Sequence, residues 1–437
     1  MSTAAGLYEE LVRTYTPGQG AVRDKAFAAF TERGFPTIKD EDWRFTNPAP
    51  YLKDAYRTDV PCRADKDSLQ DCVCRCKVEG WDAYQVVLVN GCVDTSLSDL
   101  PEESGITVCA LSQAPAAALD RYVGLEPGTY PFADLNTALH KDGLFIEVRA
   151  GQRPLKPLHV VHIYTADTPA FFQPRHLVVL HRQAELHFME SSACTAGSAP
   201  VLVNTVLEGF LGDGAQLIHY VLQSGRRGER MVSHTQVTQG RDSRYDNVTL
   251  SLPEADLIRN QLNVILDGSG SECHLYGLYL PTDQQVVDNH TVVDHRQPNC
   301  ESNELYKGVL RGSAKAVFNG KIFVRQIAQK TNAFQQNNNL LLGDKAVVYS
   351  KPQLEIFADD VKCSHGSTIG QFDPESLFYL RARGVGEDMA KELLVQAFGA
   401  DITDRVSSEV VQRHLAKYLV KERPVIHAQD VPHVEHI

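Results

Sequence analysis

A chain of 437 residues, 43% hydrophobic and 22% charged, is globular in composition and long enough to bury a large core. Its net charge of −12 excludes the Lys/Arg excess that a broad nucleic-acid footprint or an anionic membrane surface requires. No apolar run approaches the roughly 20 residues that cross a bilayer, and ten cysteines are too sparse for a disulfide scaffold, so mostly free thiols are expected.

The opening MSTAAGLYEELVRTYT lacks a basic segment followed by an apolar one, so no secretory signal is expected and the reading is cytoplasmic. Leu7, Leu11 and Val12 are expected on one face of a short helix. Ala21 to Arg33 predicts a second, stopped by Gly34 and Phe35-Pro36. KDEDWRFTNPAPYLK (39–53) reads as irregular. CVCRC would place Cys72, Cys74 and Cys76 on one face of a strand. Three thiolates suit zinc or copper(I), but no local fourth ligand completes a tetrahedral set, so incidental thiols on an edge strand are expected. YQVVLVN (84–90) is a strand running into an Asn-Gly turn. Helical patterns return near Ala110–Tyr122 and Phe132–His140. A mainly helical region with a short hairpin is therefore assigned to 1–142.

From Gly143 to Ile369 strand-like runs dominate, among them LHVVHIY, HLVVLH, QLIHYVLQ, NQLNVILDG and AVVYSKPQLEIFA. A Gly or polar residue followed by Ala or Ser precedes many of them: Gln183-Ala184, Gly214-Ala215, Gly270-Ser271, Gly312-Ser313. The cues recur about every 30 to 40 residues, as in stacked repeats. No helical pattern separates the strands, so βαβ units are disfavoured and a β-solenoid over 143–370 accommodates them best, with a double sandwich as the alternative. The region 371–437 is helical again. Asp373 caps a helix with Pro374 at its first position, ending at Arg383-Gly384. Glu387–Phe398 closed by Gly399, and Ile402–Glu422 with Val406, Val410, Leu415 and Leu419 near one face, are two more. Pro424 stops the last, and the tail HAQDVPHVEHI reads as polar and mobile.

No phosphate-binding loop is present, since GVLRGSAK has the wrong spacing, and no nucleophile elbow, HExxH or CxxC occurs. Asp359-Asp360 invites a solenoid carbohydrate lyase or hydrolase, yet adjacent strand residues face opposite ways and cannot cooperate. Asp288, His290, Asp294 and His295 could form an iron or zinc site, but a continuous strand puts His290 and His295 on opposite faces, which favours a structural role. The most informative pair is Cys363 and His365. At i and i+2 on a strand they share a face, and both are soft or borderline metal ligands. One Cys and one His cannot hold an iron–sulfur cluster, which wants about four ligands, so the rest would come from a second subunit.

The 33-residue stretch PQLEIFADDVKCSHGSTIGQFDPESLFYLRARG closely resembles the C-terminal signature of the SufB/SufD family of iron–sulfur cluster assembly proteins. DHRQPNCESNELYKGVL, NGKIFVRQIAQKTNAFQQNNNLLL and PRHLVVLHRQAELHFMES resemble it too, so the likeness runs from about Phe132 to Gly399. DEDWRFTNP, the short length and the lack of an acidic segment beyond the shared Cys are closer to the SufD branch than to SufB. The resemblance implies a right-handed parallel β-helix flanked by helical regions. It implies a non-enzymatic scaffold that pairs with a SufB-like subunit through the β-helix, binds a SufC-like ABC-type ATPase through the C-terminal helices and supports iron acquisition. The family's interface Cys and His fall on Cys363 and His365, a shared metal position holding iron or a cluster only transiently, with no tightly bound cofactor. Docking of the ATPase falls on Phe378 to Leu394, including Tyr379, Arg381 and Arg383. A homodimer is expected as the alternative for the isolated chain.

Overall fold

The computed structural model describes residues 4–18, 20–63, 65–125 and 127–419. They form two compact units: one runs to Gly370 apart from residues 78–81, and the other holds residues 78–81 with the segment that starts at Gln371.

In the first unit, the helix Ala4–Thr14 buries Leu7 and Leu11. Val12 is 37% exposed, contrary to expectation, because five residues on from Leu7 the helix has turned past the buried stripe. The helix Ala21–Arg33 ends where expected: Gly34 has φ 69° and donates its N–H to Phe30 O. Residues 39–53 make two single 3-10 turns, Glu41–Trp43 and Ala49–Tyr51, and Trp43 is buried with the Arg259 guanidinium 4.0 Å from its ring centre. CVCRC is helical, not a strand. Asp65 caps the helix Lys66–Cys76 by accepting the Ser68 N–H. Leu69, Cys72, Val73 and Cys76 then pack on Val87, Val89, Val161 and Ile163, while Cys74 is exposed. The alternation imitated a strand, but the i, i+3, i+4 spacing of these four residues matches a helix face. Cys62 and Cys92 are joined in a disulfide, and the other eight cysteines are free.

Tyr84–Val89 and Cys92–Val93 form the expected hairpin, with Asn90 (φ 52°) and Gly91 (φ 87°) in its turn. Its first strand also pairs in parallel with Leu158–Tyr164, so the sheet extends back beyond Gly143.

The core is a parallel β-helix of about eight turns. Two long sheets face each other. One runs from the hairpin to Lys362–Gly370, and the other from Ile106–Ala110 to Val347–Ile356. Successive rungs place Arg244, Glu272, Glu301, Asn332 and Lys362 side by side, 28, 29, 31 and 30 residues apart. The coil is therefore shorter than the cue spacing suggested, because the cues mark two different corners. One corner is a ladder of left-handed residues: Gln183, Gly214, Asp242 and Gly270 have φ between 55° and 73°. Their N–H groups donate to carbonyls of the next coil at 2.7–3.2 Å. Gly312 lies on another corner, where Ser313 N–H donates to Asp283 O at 2.8 Å.

Inward positions pack the two sheets together. Val160, Phe188, Leu217, Tyr245, Leu275 and Phe318 belong to one continuous buried cluster. Fully burying one such side chain contributes about 1.5–3 kcal/mol. A buried ion pair fixes the helix Pro131–Leu139 on this core. Arg175 bonds Glu208 through Nε at 3.0 Å and Thr137 Oγ1 through Nη1 at 2.9 Å, and Asn136 Nδ2 reaches Pro174 O and Asn204 O.

In the second unit, Asp373 accepts the Glu375 and Ser376 N–H groups and caps the helix Pro374–Ala382. The next helix, Glu387–Thr403, does not stop at Gly399. That glycine is interior because a Cβ there would lie 2.4 Å from Leu419 Cδ2. Residues 402–403 end this helix and do not begin another. Ser408 caps the separate helix Glu409–Ala416, which a 3-10 turn follows at Lys417–Leu419. Val406, Val411, Leu415 and Leu419 are buried, with Val411 in place of the expected Val410. Residues 420–437, including the HAQDVPHVEHI tail and the rest of the expected last helix, lie outside the described residues. No described helix is long and apolar enough to cross a membrane.

Candidate functional site at the mouth of the solenoid

The last rungs leave the solenoid open. Lys362–Gly370 and Val347–Ile356 end their sheets, each pairing on one side only among the described residues. Val347 (42%), Ile356 (40%), Phe357 (58%) and Ile369 (49%) are exposed there. Unpaired strand edges with apolar side chains are docking surfaces that a soluble protein otherwise blunts.

Cys363 and His365 stand on this terminal strand, on the face that continues the lumen. Register makes this explicit. Cys363 caps an inward column through Ala333, Ser302, Cys273, Tyr245 and Leu217. His365 caps the next, through Gln335, Glu304, Leu275, Asn247 and His219. The thiol is half-buried against the core, and the imidazole is exposed. Burial pushes the Cys363 thiol up from its ordinary value, opposed by a backbone hydrogen bond at Ala333. It therefore stays protonated at neutral pH until a cation or electropositive partner draws the proton off. Gly366 has nothing within 4 Å of where a Cβ would sit, which leaves the strand open to close approach.

Behind the pair the lumen is polar. Thr291 Oγ1 donates to Glu304 Oε2 at 2.7 Å and Gln335 Nε2 does so at 3.2 Å, while Glu304 Oε1 has no partner. Burial pushes Glu304 up to about 7 against these two hydrogen bonds. A second chain runs outward: Tyr279 OH accepts from Asn337 Nδ2 at 2.8 Å. Asn337 Oδ1 accepts from Ser350 Oγ at 2.9 Å, and Ser350 Oγ from Ser367 Oγ at 2.8 Å. Ser367 shares the face of Cys363 and His365. Of these lumen residues only Gln335 and Asn337 leave a trace in the sequence, as part of the polar run QQNNN; the others carry no motif.

The other candidates are placed as follows. Asp359 and Asp360 are exposed in the bend after Val347–Ile356. Asp360 O accepts the Lys330 N–H and its carboxylate pairs with Lys330 Nζ, so the dyad closes a corner and does not form a carboxylate pair over a groove. Asp288, His290, Asp294 and His295 do not converge. Asp288 pairs with Arg259, and His290 Nε2 lies 2.9 Å from Asp288 Oδ1. Asp294 pairs with Arg325 and Arg296, while His295 points inward to Ser302 Oγ at 2.9 Å. In the second unit, Phe378 is 73% and Tyr379 56% exposed, and Arg381 and Arg383 are exposed. Arg383 lies over the Tyr379 ring at 4.4 Å, Arg381 pairs with Glu387 Oε2 at 3.4 Å, and Leu394 is half-buried.

A group with no signature in the sequence lies inside the lumen: His162, His176 and Glu190 bring one donor atom each within 4.8 Å of one another. Their only sequence signal is a histidine recurring within neighbouring strands, as in LHVVHIY and PRHLVVLH.

Comparison with known proteins adds to this geometry. Residues 162–398 match the family described as "SUF system FeS cluster assembly, SufBD core domain", and residues 9–160 match the "SufBD protein N-terminal region". The chain is 34% identical to an iron–sulfur cluster assembly SufBD family protein of Synechocystis over 87% of this chain and 86% of that one. It is 30% identical to the iron–sulfur cluster assembly protein SufD of Escherichia coli over 90% of each. It is 23% identical to SufD of Bacillus subtilis over 88% of each. With its β-helix, flanking helices and these matches along most of its length, the chain belongs to the SufB/SufD family of iron–sulfur cluster assembly proteins.

Proposed function

We propose that this protein is a non-catalytic, SufD-type scaffold subunit that pairs with a SufB-like subunit through the open end of its β-helix. The single observation that carries the reading is the terminal rung. It joins two unpaired sheet edges, exposed apolar side chains and a Cys/His pair too small to hold a cluster alone. A partner that continues the sheets buries the apolar edge and supplies the missing ligands in one step. Iron, or a forming cluster, is cargo at that junction. Cys363 supplies a thiolate once deprotonated, and His365 an imidazole suited to iron. Nucleotide hydrolysis belongs to a SufC-like ATPase, which docks on the helices Pro374–Ala382 and Glu387–Thr403 around Phe378 and Tyr379. The chain itself has no phosphate-binding loop to do that work.

Co-expression of a tagged chain with SufB-like and SufC-like partners tests this. Both partners should co-purify, and a Phe357→Glu, Ile369→Glu double variant should lose the SufB-like partner while keeping the ATPase. Retention of the SufB-like partner by the double variant would move the interface elsewhere.

A further inference from the structure

Five rungs inside His365, in the same lumen-facing column, stands His219. Its Nε2 lies 2.7 Å from Glu190 Oε1, and its Nδ1 lies 3.1 Å from Tyr245 OH. The other Glu190 oxygen, Oε2, lies 2.8 Å from His162 Nε2. His176, on a strand of the opposite sheet, completes the group. His162 Nδ1 and His176 Nε2 are buried and have no partner.

The group adjoins a cavity of about 100 Å³ lined by His162, Glu190 and His219 together with Ser233, Asn247 and Asn260. That is several times the roughly 10–15 Å³ that one water needs. No Lys or Arg lines it. We propose that this cluster is a second metal site, taking one hydrated divalent transition-metal ion of the iron(II), cobalt(II) or zinc class inside the lumen. It is separate from the junction at Cys363 and His365 and does not depend on that reading.

The donor geometry supports it. Ligands about 2.1 Å from one ion and at right angles stand about 3 Å apart. His162 Nε2 and Glu190 Oε2, at 2.8 Å, already have this spacing, so an ion can replace the proton they share. His219 holds the second carboxylate oxygen and is itself steadied by Tyr245, the outer support that metal-binding carboxylates require. His176 plays a different part. Leu144 N–H donates to its Nδ1 at 3.1 Å, which assigns the neutral ring's proton to Nε2. That N–H, at present without an acceptor, donates to a water carried by the ion. One imidazole, one carboxylate and several waters favour the iron(II) and cobalt(II) end of the class over closed structural zinc, which takes four protein ligands.

The test uses the full chain in a Cys363→Ser, His365→Ala background, expressed in cobalt-supplemented medium and desalted. The site predicts about one cobalt(II) per chain, with its visible absorption bands, in that background. It also predicts a roughly tenfold or greater fall in retained cobalt on adding Glu190→Gln or His162→Gln. Cobalt absent from the double variant, or retained equally by Glu190→Gln, overturns the proposal. Should Glu190→Gln fail to fold by circular dichroism, His162→Gln decides by the same two outcomes.

Discussion

Gln335 Nε2 donates to Glu304 Oε2 at 3.2 Å, one rung inside His365 in the lumen-facing column. The hydrogen bond ties a neutral amide just behind the mouth to a fully buried carboxyl that no cation balances among the described residues. Burial favours the neutral form of Glu304, against this bond and the one from Thr291. Its folded pKa, about 7, is above the ordinary carboxyl value near 4.5. Its favourable contribution is fully present below pH 4.5 and is lost as pH rises through about 7. Unfolding free energy should fall by roughly 3 kcal/mol between those limits from this group. Glu304→Gln should flatten that part of the profile, read by urea melts at pH 5 and pH 8. An unchanged pH profile in the variant would remove Glu304 as its source.

Arg175 and Glu208 are buried together, and Arg175 also holds Thr137. Removing one partner leaves the other charge uncompensated. Arg175→Ala should cost about 3–5 kcal/mol, while Arg175→Met with Glu208→Leu should recover much of it. Denaturant midpoints of the two variants decide. A single variant as stable as the parent contradicts the pairing.

Gly399 faces Leu419 with no room for a methyl group. Gly399→Ala should lower the stability of the C-terminal helices by about 1–3 kcal/mol despite alanine's better helix propensity. A stabilised variant in thermal melts would show that the helix at Gly399 and the turn at Leu419 do not pack this closely.

The helix Pro374–Ala382 exposes Phe378, Tyr379 and Arg381, and Arg383 is exposed just after its end. Charge reversal at Arg381 or Arg383 should weaken co-purification with a SufC-like ATPase and leave the helix folded, since both side chains are exposed. Undiminished co-purification would place the docking site elsewhere.

The solenoid was legible in part because apolar alternation marks one buried face, as in ELHFM, where Leu186 and Phe188 are buried and Glu185 and His187 are half-buried. Strands such as Asn332–Leu341 (NAFQQNNNLL) were harder to read, since their inward residues are polar and bond inside the lumen, Gln335 to Glu304, Asn337 to Tyr279 and Tyr306, and Asn339 to Asn337. CVCRC misled because five residues cannot separate a two-residue period from a helix face until the Asp65 cap is recognised. Gly399 misled in the opposite way: glycine after a helical run usually signals a stop, and here it signals close packing. At the mouth, the i, i+2 spacing gave the shared face of Cys363 and His365. That this face continues two lumen columns depends on register across rungs about 30 residues apart, which no local pattern records.

If Cys363 and His365 are half of a site completed by a partner, removing one of them must lower the iron the complex holds. The most direct measurement is iron and acid-labile sulfide in the purified complex with SufB-like and SufC-like partners, comparing the parent chain with His365→Ala. His365→Ala should leave the complex intact and cause a several-fold loss of iron and cluster. Unchanged iron in an intact His365→Ala complex would contradict it.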